Sequence, residues 1–180
     1  GVLDALKTIS LRANEDDPEH CYLIGLAYLE GIDVEVNKKY AVELITAAAE
    51  KEHPEAMVKL YNMYGNGEKI QVNYGEALKW ARRLYEYYLR KYGENNATTL
   101  ISLNNLALTY GKSGDYKKSF ELDEKCYALM CKVFGEKHPD TLISLTNLAD
   151  AYGKRGDYKR ALELNEKVYA LGCEIYGEKH

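Results

Sequence analysis

Residues 99–138 and 141–180 superpose at an offset of 42, with 27 of 40 positions identical. The shared frame runs TLISL-x-NLA-x-x-YGK-x-GDYK, then EL-x-EK-x-YAL-x-C, and closes on GEKH. A unit of that length buries its apolar face only against its neighbours, so the repeat dictates a stack of similar elements. Earlier in the chain the period changes. Residues 28–41 (YLEGIDVEVNKKYA) align with 64–77 (YGNGEKIQVNYGEA) at an offset of 36, which also sets Pro18-Glu19 on Pro54-Glu55 and Ala5 on Ala41. Tyr74 and Ala77 stand in register with Tyr116 and Ser119, and with Tyr158 and Ala161, so the two unit types join near residue 77 without a linker.

Within each unit the apolar spacing is helical. Leu103, Leu106, Ala107 and Tyr110 fall at i, i+3, i+4 and i+7, one face of a helix, and Leu145, Leu148, Ala149 and Tyr152 repeat the pattern. Gly114-Asp115 then supplies a turn and a cap for the next helix. Gly135 stops that helix, and His138-Pro139 begins another. Only 3 prolines interrupt the chain, and 17 tyrosines against 2 Phe and 1 Trp suit helices that meet both core and solvent. The spacing predicts nine helices, over 4–14, 18–30, 38–50, 54–65, 74–92, 97–112, 116–134, 139–154 and 158–176, with extended turns at 32–36 and 68–72. No stretch alternates with period two for long enough to predict a strand.

The 36-residue units, with IGLAYLEG at 24–31 and LYNMYGNG at 60–67, resemble Sel1-like repeats. The 42-residue units, with LNNLALTYGKSGDY at 103–116 and FGEKHPDTL at 134–142, resemble the longer tetratricopeptide repeats of kinesin light chains. Nearly the whole chain is covered. The resemblance implies a single all-α domain over 1–180, Sel1-like over 1–77 and kinesin-light-chain-like over 78–180. It further implies a right-handed superhelical solenoid of antiparallel helix pairs, with a concave groove that holds a peptide or protein segment.

In solenoids of this type the first helix of each pair lines the groove. One column of that face contains Leu23, Lys59, Asn105 and Asn147, and beside it lie Asn62, Asn104 and Asp150. An amide donates and accepts at once, so an asparagine ladder can hold an extended backbone whatever its side chains. The alternative is that these amides face solvent or bond the neighbouring helix. Asn104, Asn105 and Asn147 match asparagines of the kinesin-light-chain type. The co-chaperone type, which grips a C-terminal carboxylate, also has an asparagine in the column of Asn105 but needs several cations nearby, where only Lys59 qualifies. Lys112 and Lys154, at the ends of first helices, favour an acidic ligand or complement the helix C-termini.

Other chemistries find little support. The four histidines, His20, His53, His138 and His180, lie at helix junctions and never pair within a unit, so no zinc ligand set is expected. No nucleophile motif or phosphate-cradling loop is present, and neither catalysis nor a cofactor is expected. Residues 1–92 carry 12 basic and 15 acidic side chains and residues 93–180 carry 12 and 13, a balance that argues against nucleic acid. No apolar run approaches the ~20 residues of a membrane span. Cys21, Cys126, Cys131 and Cys173 form no C-x-x-C and read as small core residues of a cytoplasmic protein. The chain begins on what aligns as a second helix, and it stops where the preceding copy continues with Pro139. Residues 158–176 are as apolar as the internal copy, where a terminal repeat normally has a polar outer face. The sequence therefore reads as a piece of a longer protein. A protein-binding scaffold or adaptor is the expected function, and a rigid spacer or self-association arm of a larger multidomain regulatory protein, self-associating through the apolar ends, is the alternative.

Overall fold

The structure is a computed structural model that describes residues 16–177. Among these residues every regular element is an α-helix: α1 (Pro18–Glu30), α2 (Lys38–Glu50), α3 (Pro54–Asn66), α4 (Tyr74–Tyr92), α5 (Ala97–Ser113), α6 (Tyr116–Phe134), α7 (Pro139–Lys154) and α8 (Tyr158–Tyr176). Eight of the nine expected helices are found, each within one residue of its expected ends; the helix expected over 4–14 lies outside the described residues.

The boundaries follow from local chemistry. The Asp17 carboxylate accepts from the backbone N–H groups of Glu19 and His20 at 3.0 and 3.3 Å, with Pro18 in the first turn of α1. Asp115 and Asp157 each accept from the N–H three residues on, at 3.1 Å, and so start α6 and α8 alike. Two histidines also act as caps. His53 Nδ1 accepts from the Ala56 N–H at 3.2 Å, and His138 Nδ1 accepts from the Asp140 N–H at 3.2 Å. With Nδ1 accepting, the His53 ring proton sits on Nε2 and is donated to Glu19 at 2.6 Å, which ties the first turns of α1 and α3 together. Gly31 and Gly67, 36 residues apart, end α1 and α3 in the left-handed region at φ 73° and 74°.

The chain divides between Tyr87 and Tyr88 into two compact units. In the first, α1 packs on α2 and α2 on α3 around fully buried Ile24, Leu29, Ile45, Met57, Leu60, Met63 and Trp80. The backbones of α1 and α2 approach closely at Gly25, where an added Cβ would meet Ile45 Cγ1 at 2.7 Å and the Ala41 carbonyl at 3.2 Å. In the second, α5 packs on α6, α6 on α7 and α7 on α8, and α5 also touches α7. Its core is built on Leu100, Leu103, Met130 and Leu145. Short connections between packed successive helices make antiparallel pairs.

Candidate functional site

Burial on α5 and α7 separates a core stripe from an outer one. Thr99, Leu100, Leu103, Leu106, Ala107 and Tyr110 turn inward on α5, and Thr141, Ser144, Leu145, Leu148 and Ala149 do so on α7. What remains is a second stripe at i, i+3, i+4, i+7 and i+11. On α5 it holds Ile101, Asn104, Asn105, Leu108 and Lys112; on α7 it holds Ile143, Thr146, Asn147, Asp150 and Lys154. Five of the expected site residues outside the first unit thus share a strip with Asn105, and α5 and α7 lie in contact.

Asn147 Nδ2 donates to Asn104 Oδ1 at 3.0 Å, so the two amides are joined across the helices. Each keeps capacity: Asn147 retains its carbonyl oxygen and one N–H, and Asn104 retains both of its N–H groups. Asn104, Asn105 and Asn147 are half-buried. At the far end Lys154 Nζ meets Asp150 Oδ2 at 2.6 Å, which neutralises both charges locally, while Lys112 is exposed one repeat earlier. At the near end Ile101 and Ile143 are 43% and 54% exposed, two apolar side chains at equivalent positions of successive repeats. Sequence reasoning passed over this pair, although the 42-residue offset places both outside the core stripe.

Beneath the strip lies a buried acid of α6. Asp123 of α6 is 2% exposed, and burial pushes its carboxyl up to about 6. Ser119 Oγ donates to its Oδ2 at 3.1 Å and opposes that shift; Asp150 raises it further and Lys154 lowers it. Its Oδ1 has no hydrogen-bond partner. Ser119, Asp123, Cys126 and Met130 fall at i, i+4, i+7 and i+11, all buried, and that spacing was the available signal. Burial likewise pushes the neighbouring Cys126 thiol up to about 11, and its Sγ donates to the Leu100 carbonyl at 3.6 Å.

In the first unit, Lys59 Nζ is 2.6 Å from Glu68 Oε1, so its charge is already met, and Asn62 is half-buried. A hollow of about 480 Å³ in this unit is lined by Lys38, Glu43, Tyr64, Gln71 and Asn73 among others, and includes neither Lys59 nor Asn62. Among the described residues no three His, Cys, Asp or Glu side chains converge as a metal site would require. Nor is any helix of the described residues long and apolar enough to cross a membrane.

Comparison with known proteins bears on the whole arrangement. The Sel1 repeat family model matches residues 18–53, and the tetratricopeptide repeat model matches 55–132 and 112–174. No curated protein matches the sequence at a significant level. Among solved structures, the chain is similar to the repeats of a Podosopora anserina protein described as a kinesin light chain. The two are 23% identical over 96% of this chain and 82% of that one, with a TM-score of 0.67. It is also similar to BtubC from P. vanneervenii, at 18% identity over 99% and 72% of the chains and a TM-score of 0.69. A Sel1 repeat protein from Oxalobacter formigenes is 22% identical over 93% and 70%, with a TM-score of 0.54. These structural likenesses show the fold alone. The repeats of such proteins generally serve as protein-interaction scaffolds. The tetratricopeptide matches together span 55–174, more than half of the 180 residues, and the chain belongs to the tetratricopeptide repeat family.

Proposed function

We propose that this chain is a non-enzymatic scaffold that holds an extended peptide, or an extended segment of a partner protein, along the strip shared by α5 and α7. The supporting observation is the Asn147–Asn104 bond, which fixes two amides while leaving donors and an acceptor for a peptide backbone. Orienting an amide before a ligand arrives lowers the ordering cost of binding. Exposed Ile101 and Ile143 add apolar surface beside those polar groups, and Asn105 and Lys112 extend the strip. Lys59 and Asn62 contribute less in this reading, because Lys59 is paired with Glu68. The overall charge of −4 suits neither nucleic acid nor an anionic membrane. Among the described residues no disulfide joins two cysteines, and burial of Cys21 and Cys126 as thiols suits the reducing cytoplasm.

Selection of a displayed random-peptide library against the chain tests the reading. Binders should enrich and should lose their enrichment on the Asn104→Ala/Asn147→Ala variant, whose thermal melt matches wild type. Failure of any peptide to enrich, or retention of the same peptides by the variant, would contradict it.

A further inference from the structure

A polar cluster closes the strip at its Lys154 end, where α5, α6 and α7 come together at Gly111. A Cβ added at that glycine would stand 3.0 Å from Ser119 Oγ and 3.9 Å from Lys154 Nζ. Ser119 Oγ donates to Asp123 Oδ2 at 3.1 Å, and Lys154 Nζ meets Asp150 Oδ2 at 2.6 Å. Asp150 and Lys154 both act on the Asp123 carboxyl from α7, so the two pairs form one cluster. Forty-two residues on, Ala161 replaces Ser119 and Asn165 replaces Asp123; forty-two residues back, Leu108 stands at the position of Asp150. The repeat frame builds its helices without either acid.

Charge and hydrogen bonding both leave the cluster short of a cation. Two carboxylates share one lysine, an excess of one negative charge at neutral pH, where the Asp123 carboxyl is ionised. Lys154 is already taken up by Asp150. Asp123 is 2% exposed, and its Oδ1 has no hydrogen-bond partner among the described residues. A buried charge with an unmet oxygen is costly, and a donor that itself carries positive charge removes that cost most fully. Asp150 follows Asn147 by three residues, about one turn along α7, within the span of a long side chain on a peptide held by the amides.

We propose that this end of the strip is a subsite for an arginine side chain of the bound peptide, whose guanidinium meets the Asp150 carboxylate and donates to Asp123 Oδ1. The inference rests on the peptide-binding reading above and names what the peptide must contain. A guanidinium carries five N–H donors in a planar fork, enough for two carboxylates at once. Lys154 gives way to it, because its pair with Asp150 is exposed, contributes little, and leaves the amine free to turn into water. Gly111 leaves room above Ser119 that a Cβ would take. A lysine on the peptide, as a compact point charge, serves one of the two acids well but not both. An acidic side chain is repelled.

The displayed random-peptide library, selected in parallel at neutral pH on wild type, Asp123→Asn and Asp150→Asn, tests the proposal. Asp123→Asn copies the amide of the next repeat, and thermal melts check that it folds; Asp150→Asn, on the exposed side of α7, carries the same test should it not. Wild type should enrich peptides with arginine at one fixed position, and both variants should enrich peptides without it. For a peptide selected on wild type, changing that arginine to methionine should weaken binding to wild type about tenfold or more, and binding to either variant much less. Peptides that enrich with no basic position, or with the same arginine on all three proteins, would overturn the inference and leave the peptide-binding strip standing. A library from which nothing enriches on wild type would overturn both.

Discussion

Asp123 shows how a single residue sets a property of its unit. Its carboxyl is raised to about 6 from an ordinary value of 3.8, so between those values the folded chain holds a proton that the unfolded chain releases. Stability from this group is therefore greatest below the unfolded value and falls as pH rises through 6, by an amount on the order of 2–3 kcal/mol. Asp123→Asn, which copies Asn165 of the next repeat, should remove that dependence. Urea unfolding between pH 4.5 and 8 should show the variant gaining on wild type as pH rises, and parallel curves would contradict the burial of an ionisable Asp123. Leu106 is 5% exposed in the middle of the α5 core stripe, so Leu106→Ala should cost about 2–5 kcal/mol. Lys117, exposed on α6, should tolerate alanine within about 0.5 kcal/mol, and equal losses at the two sites would mean the helical register is wrong.

Helices themselves were legible because the repeat shows every boundary more than once. Gly31 and Gly67, or Asp115 and Asp157, occupy matching positions and do the same work in the structure. Less legible was which side of an amphipathic helix a neighbour covers. Asp123 lies on a buried stripe that its charge disguised, and His53 caps α3 where its position between helices suggested only a junction. The exposure of Ile101 and Ile143 likewise depends on what packs beside them, which no local pattern states. Close approach between elements leads to a paired prediction. Gly25→Ala should destabilise the first unit by about 1–3 kcal/mol, since its Cβ would press on Ile45 and the Ala41 carbonyl. Gly153→Ala, whose Cβ would find Ala161 at an ordinary 3.9 Å, should be neutral or stabilise by up to about 1 kcal/mol. Denaturant midpoints of both variants check the contrast, and a stabilising Gly25→Ala would contradict the α1–α2 contact.

At the scale of the molecule, repeats of this kind generally serve as protein-interaction scaffolds. The chain's membership of the tetratricopeptide repeat family accounts for a helix-packed core within each unit. The strip across α5 and α7 is the part of the site reading on which the amide ladder was expected, and the structure brings Asn104 and Asn147 together there. A bond between neighbouring helices is also the alternative to ligand binding for these amides. The unused N–H and carbonyl groups of the pair are what keep binding open. Isothermal titration of a library-selected peptide against wild type, Asn105→Ala, Asn147→Ala and the double variant measures what these amides contribute to binding. Each single variant should lose about 1 kcal/mol or more of binding free energy, with melts unchanged, because a peptide group loses its hydrogen bond. Undiminished affinity in the double variant would contradict the account and move the ligand off this strip.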